Sequence, residues 1–177
     1  VLAFGVLPQV FSRFIGFATY QLDSNLRNST MVGIVGAGGI GEAAVKLAWA
    51  EDCTLEGLHL RNLGARGVSI YAGRRNRVAG SLIEHVGTSG ITAGGDKEMG
   101  VGDDLILADN HVHHCGLVYP AACAIQVGNV ANAVIARNLV HDVGYTGITY
   151  SGSFTTPRAI NGVIENNHVY RCIAAGV

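Results

Sequence analysis

Short aliphatic patterns recur along this chain at a fixed interval. Val45, Val68 and Ile91 lie 23 residues apart, and so do Ile125 and Ile148. Each opens an alternating triplet: Val45-Lys46-Leu47, Val68-Ser69-Ile70, Ile91-Thr92-Ala93, Ile125-Gln126-Val127 and Ile148-Thr149-Tyr150. Alternation of this kind is the signature of a strand with one face buried. A small residue, Gly67, Gly90, Ala124 or Gly147, precedes each triplet after the first. A period in the twenties with one such strand per repeat predicts a solenoid rather than a closed globule.

Further columns keep the same register. Leu58, Ser81, Asn110, Asn138 and Asn167 are equivalent, with Leu55, Val78, Leu107, Ile135 and Ile164 three residues before them. Leu60, Ile83, Val112, Val140 and Val169 follow two residues after, and Gly64, Gly87, Gly116 and Gly144 close the turn. No single coil can bury these aliphatics by itself, so neighbouring coils must stack. The Asn column predicts a ladder of side-chain amides running between successive bends.

The basic coil has arms of 13 and 10 residues, and departures from it fall at defined places. Ile91 to Asn110 and Ile148 to Asn167 each carry 6 extra residues, and Asn110 to Ile125 carries 5. Insertions in solenoids become loops on one face, often the binding face. Residues 45–177 are therefore expected to form five to six coils of a longer solenoid, with 1–44 as an irregular first coil or N-terminal cap.

One motif points elsewhere. Gly36-Ala37-Gly38-Gly39-Ile40-Gly41 follows the apolar run Met31 to Val35, and Glu56 lies 20 residues beyond Gly36. Alone, it would suggest a dinucleotide-binding turn followed by a helix from Glu42 to Ala50. Against that, Val45-Lys46-Leu47, Leu55, Leu58 and Leu60 are already in the 23-residue register, and no helical period follows. A Gly-rich corner feeding the first regular strand is the reading adopted.

Composition adds exclusions. With 177 residues, 14% charged and a mean hydropathy of +0.31, the chain has enough apolar matter for one continuous core. A net charge of −1 gives no nucleic-acid surface, and no uninterrupted apolar run of membrane-spanning length is present. Cys115 and Cys172 share a column two coils apart, about 9.6 Å at roughly 4.8 Å per layer, too far for a disulfide. Cys53 and Cys123 occupy other columns, so the four cysteines are expected to be free and buried.

The columns carry a family resemblance. Gly94-Gly95-Asp96-Lys97, Asn110-His111-Val112-His113-His114, Tyr119-Pro120-Ala121, Asn138-Leu139-Val140-His141-Asp142 and Ile164-Glu165-Asn166-Asn167 form a characteristic series. The chain resembles the right-handed parallel β-helices of the pectate lyase-like superfamily. It is similar to bacterial repeat proteins grouped with glycoside hydrolase family 141, with Lys97 standing where that pattern has Arg. The resemblance implies an all-β right-handed parallel β-helix acting on polysaccharide or oligosaccharide, monomeric, and extracellular or periplasmic. A glycoside hydrolase is the first expectation; a polysaccharide lyase and a non-catalytic carbohydrate-binding or structural β-helix are the alternatives.

Candidate chemistry follows from glycan cleavage, which needs a carboxylate pair or a base. The insertion after Gly94 holds Asp96, Lys97, Glu98, Asp103 and Asp104, the densest charge cluster of a charge-poor chain. Asp96 is the leading candidate for acid, base or sugar-hydroxyl ligand, with Glu98 as a second carboxylate and Lys97, His113 or His141 as a base. His113 and His141 share an outward column with Arg61, Glu84 and Tyr170. His114 and Asp142 are equivalent positions on adjacent coils, a spacing that predicts a stabilising pair. Thr92, Gln126 and Thr149 would floor a groove, with Tyr119 and Tyr145 as stacking walls. No cofactor or metal is expected unless Asp103 and Asp104 hold a Ca²⁺.

Overall fold

A computed structural model describes residues 32–33, 43–96, 102–152 and 159–177. Among them every regular element is a strand, and the strands form three parallel sheets that share one core. The first sheet stacks Ala43–Ala48, Arg66–Tyr71, Ile91–Gly94, Ile125–Gly128 and Ile148–Ser151. Val32–Gly33 lies antiparallel on its outer edge, pairing with Leu47 and Lys46. The second sheet stacks Thr54–Glu56, Arg77–Ala79, Ile106–Ala108, Val134–Ala136 and Val163–Glu165. The third stacks His59–Leu63, Leu82–Val86, His111–Cys115, Leu139–Val143 and His168–Cys172. Each coil visits the sheets in that order, the architecture of a parallel β-helix.

Pairing follows the predicted columns. Val45, Val68, Ile91, Ile125 and Ile148 are in direct register and fully buried. Leu47, Ile70, Ala93 and Val127 form the second inward column. Tyr150 ends that column half-buried, its hydroxyl donating to the Val130 carbonyl at 2.8 Å. The strand Ala43–Ala48 occupies the stretch that a dinucleotide-binding fold would make helical. Gly36 to Gly41, Lys97 and Glu98 lie outside the described residues. The four cysteines are free, and burial raises the Cys115 thiol to about 12.

The bends are held by the expected amide ladder. Asn138 Oδ1 accepts hydrogen bonds from the Asn110 backbone N–H and side-chain amide, both at 3.0 Å. Asn167 Oδ1 does the same for Asn138, and Asn110 Oδ1 accepts from the Ser81 backbone N–H. Each Asn amide also donates back to a second-sheet carbonyl: Asn110 to Val78, Asn138 to Leu107, Asn167 to Ile135. A second buried amide, Asn76, makes the equivalent link between Cys53 N–H and the Ala50 carbonyl.

The coil corners use left-handed backbone. Asn62, His85, His114, Asp142 and Arg171 occupy one column, all with φ between 50° and 55°. In the third sheet the residue in this column is skipped in the pairing on every strand alike, so each coil carries the same left-handed kink there. The kink changes the alternation: Val112 and Cys115 point inward, while His111, His113 and His114 are only half-buried on the outer side. The outer face thus receives three side chains per coil.

The column of small residues before the first sheet has a steric cause. A Cβ on Gly90 would meet Val112 Cγ1 at 2.4 Å and the Ala124 carbonyl oxygen at 3.0 Å. Gly90→Ala is expected to destabilise the fold by about 1–3 kcal/mol through overpacking. Asn138→Leu is expected to cost about 1–3 kcal/mol for each buried group it orphans, beginning with the Leu107 carbonyl and the Asn110 N–H. Thermal unfolding of both variants checks this; an unchanged melting temperature for Asn138→Leu would contradict a structural role for the ladder.

Candidate functional site

The exit of the first sheet brings two exposed aromatics beside a carboxylate. Trp49 takes φ 57° at the corner, equivalent to Ala72 and Asn129 at 52° and 55°, and the residue is 39% exposed. Tyr71 is the last residue of its strand and 41% exposed. The two rings meet edge to face with centroids 5.7 Å apart, a favoured aromatic geometry. Tyr71 pairs with Gly94 on the next coil, where the missing side chain leaves room for its ring. Its hydroxyl reaches past that glycine and donates to Asp96 Oδ2 at 2.6 Å. Asp96 is thereby fixed beside an aromatic shelf.

The predicted groove floor is placed as expected on the outer side of this sheet. Lys46 and Gln126 are exposed, and Ser69, Thr92 and Thr149 are half-buried. Thr92 Oγ1 is turned back to the Val68 carbonyl at 3.4 Å, and Thr149 Oγ1 is enclosed without a hydrogen-bond partner. Tyr119 and Tyr145, 53% and 45% exposed, stand on the opposite side, where chain enters the sheet. Asp104 accepts from Asn132 at 2.9 Å, and Asp103 bridges Arg74 and Ala131 through its backbone. Among the described residues no group of three His, Cys, Asp or Glu side chains is arranged to hold a metal ion.

His113 and His141 are elsewhere, on the outer face of the third sheet. There the left-handed kink crowds a continuous polar ladder. Glu84 contacts three imidazoles: His59 at 2.8 Å, His85 at 3.2 Å and His113 at 3.7 Å. His113 and His141 stack face to face at 4.8 Å, and Tyr170 continues the stack at the same spacing. The expected pair of His114 with Asp142 does not form. Asp142 instead accepts from Arg171 through both oxygens and lies 2.7 Å from His141 Nδ1, while His114 contacts His113 at 2.6 Å. Asp142 thus pairs with its equivalent on the following coil, Arg171, rather than on the preceding one, because a guanidinium offers a carboxylate two parallel N–H donors.

This crowding sets the protonation states. Burial, then the adjacent imidazoles of His111, His141 and His114, pushes His113 down to about 4, against a partial counter-effect of Glu84. Burial and His141 also lower His111. The bond from His59 holds Glu84 below the ordinary glutamic range, and Arg171 followed by His141 holds Asp142 well below the aspartic range. A buried neutral His113 takes up its proton more readily when unfolded. Its contribution to stability is therefore complete above about pH 6.5 and is lost as pH falls from there toward about 4. Replacing His113 by Gln should flatten this part of a melting-temperature profile; an identical profile in the variant would contradict it.

Sequence reasoning reached Asp96 but not its neighbours Trp49 and Tyr71. Both sit one or two residues past the triplets, at the corner; the available signal was that the chain's one tryptophan falls there.

Comparison with known proteins gives two kinds of match. Its matches among curated proteins are short: 54% identity over 41 residues to a putative phosphite transport system permease, HtxE, of Stutzerimonas stutzeri, covering 23% of this chain and 16% of that protein. A putative cryptic phosphonate transport system permease, PhnE2, of Escherichia coli K12 is 43% identical over 58 residues, covering 30% of this chain and 48% of that protein. The chain thus spans less than half of either relative. No solved structure matches. A family model described as the right handed beta helix region matches residues 43–177, the part that forms the three stacked sheets, and the chain belongs to that family.

Proposed function

We propose that the first sheet of this β-helix binds an extended glycan at its exit edge, with Trp49 and Tyr71 as the stacking shelf and Asp96 as a hydroxyl ligand or catalytic carboxylate. The observation that carries the reading is the edge-to-face Trp49–Tyr71 pair, exposed and joined through the Tyr71 hydroxyl to Asp96. Sugar rings offer apolar faces and polar rims, so an aromatic shelf beside a fixed acceptor matches both. The polar column Lys46, Ser69, Thr92 and Gln126 extends that surface across the coils.

Glycoside hydrolysis is the enzymatic form of this reading. It requires a second carboxyl group about 5–10 Å from Asp96. Glu98, two residues along the same insertion, is the residue proposed for it, with Lys97 as the base if the reaction is instead a lyase-type proton abstraction. His113 and His141 stand on another sheet and are not assigned to this site.

The permease matches favour a second reading of the remainder. The β-helix model leaves residues 1–42 unmatched, a length close to the 41 residues shared with the phosphite permease and shorter than the 58 shared with the phosphonate permease. We infer a composite chain in which a permease-related piece adjoins a β-helix, and any link to phosphite or phosphonate transport stays with that piece.

Two measurements test these readings. On an oligosaccharide array, Trp49→Ala should weaken glycan binding by about two- to tenfold, each good ring contact being worth about 0.5–1.5 kcal/mol. If the site is catalytic, Asp96→Asn should abolish turnover with its melting temperature unchanged; full activity in that variant would exclude Asp96. Residues 43–177 expressed alone should unfold cooperatively within a few degrees of the whole chain, and failure to fold would contradict the composite reading.

A further inference from the structure

All seven histidines of the chain, His59, His85, His111, His113, His114, His141 and His168, lie in strands of the third sheet. Neither the core nor the glycan shelf uses them. Within this row, His111 Nε2 and His141 Nε2 face each other at 2.8 Å. Two neutral imidazoles in that position can share only one proton, so one nitrogen presents a lone pair to the other.

The environment decides which. Asp142 is doubly bonded by Arg171, and its other short contact is His141 Nδ1 at 2.7 Å. An ionised carboxylate only accepts, so His141 carries its proton on Nδ1 and its Nε2 is the bare nitrogen. Arg171 Nη2 is farther from Nδ1, at 3.4 Å, which agrees with this assignment. His141 is 8% exposed and stacked between His113 and Tyr170, so its ring is locked in place. A carboxylate that fixes the tautomer and orientation of an imidazole whose other nitrogen points at a second imidazole is the outer arrangement of many protein metal ligands.

We propose that His111 and His141 form a two-imidazole site for a divalent transition metal ion, Cu²⁺ or Zn²⁺, with Asp142 and Arg171 as positioning residues behind His141. A metal bound at about 2.0–2.1 Å from each nitrogen, with a roughly tetrahedral angle, needs the two nitrogens about 3.3 Å apart. They must therefore open by about half an ångström as the proton on His111 Nε2 moves through solvent to its Nδ1, a small rotation of the half-buried His111 ring. His113, with its ring 4.5 Å from His111 and 4.8 Å from His141, is the nearest further imidazole, and water fills the remaining positions. Imidazole pairs favour Cu²⁺ over Zn²⁺, in the usual affinity order.

The test is titration of the tag-free full chain with CuCl₂ and with ZnCl₂ by calorimetry, with electron paramagnetic resonance of the Cu²⁺ form. The expected result is one saturable site with two equatorial nitrogens. His111→Gln and His141→Gln should each weaken binding by at least about tenfold, and Asp142→Asn by about tenfold. His168→Gln, at the edge of the same sheet, should stay within about twofold, since no ligand is lost. Circular dichroism identifies any variant that fails to fold; if His141→Gln does, the more exposed His111→Gln decides. No saturable binding by the wild-type chain, or unchanged affinity in His111→Gln, would overturn the proposal.

Discussion

Every feature of this molecule depends on coil-to-coil register. A coil has no hydrophobic core of its own; its inward Val, Ile and Leu are buried only because the next coil lays equivalent side chains against them. A one-residue slip would turn each strand's apolar set outward. The aliphatic columns make slippage costly, and the amides of Asn110, Asn138 and Asn167 make it costlier. Asn110 and Asn138 are buried, and each satisfies backbone groups of an adjacent coil that no water can reach.

The same constraint builds the outer surfaces. Equivalent positions on successive coils are neighbours in space, so residues tens of positions apart in the chain become rows. Trp49, Tyr71 and Asp96 come from three successive coils and meet at one corner. The histidine row is produced in the same way on the third sheet, where the left-handed kink turns His114 and Asp142 outward beside His113 and His141. On this scaffold a left-handed corner shapes the surface as much as it turns the chain.

This explains how far the amino-acid sequence could be read. A period of 23 with fixed aliphatic offsets determines the inward columns, so sheet register, the amide ladder and the free cysteines were all legible. The first-sheet exterior was also legible in outline, because strict alternation holds there. Corner side chains were not: Trp49 and Tyr71 lie where alternation ends, and their direction depends on a positive φ and on a glycine one coil away. The partner of Asp142 was misread for a related reason. Column spacing lets Asp142 pair with its equivalent on either side, His114 or Arg171, and does not say which; the Arg171 guanidinium takes both carboxylate oxygens, while His114 turns to His113 on its own strand. Asn76, which repeats the ladder's chemistry at a single level, leaves no column to detect.

The account of function rests on the exposed aromatic shelf at the exit of the first sheet. The chain has one tryptophan, and it is part of that shelf, so its indole is an unambiguous reporter. The most direct measurement is a ¹H–¹⁵N titration of the intact chain with neutral and acidic oligosaccharides, following the Trp49 indole N–H resonance. The account predicts a saturable shift of that resonance with at least one glycan class, together with the backbone amides of Tyr71 and Asp96. Saturable binding whose shifts leave Trp49, Tyr71 and Asp96 unmoved, or no binding to any glycan offered, would contradict it.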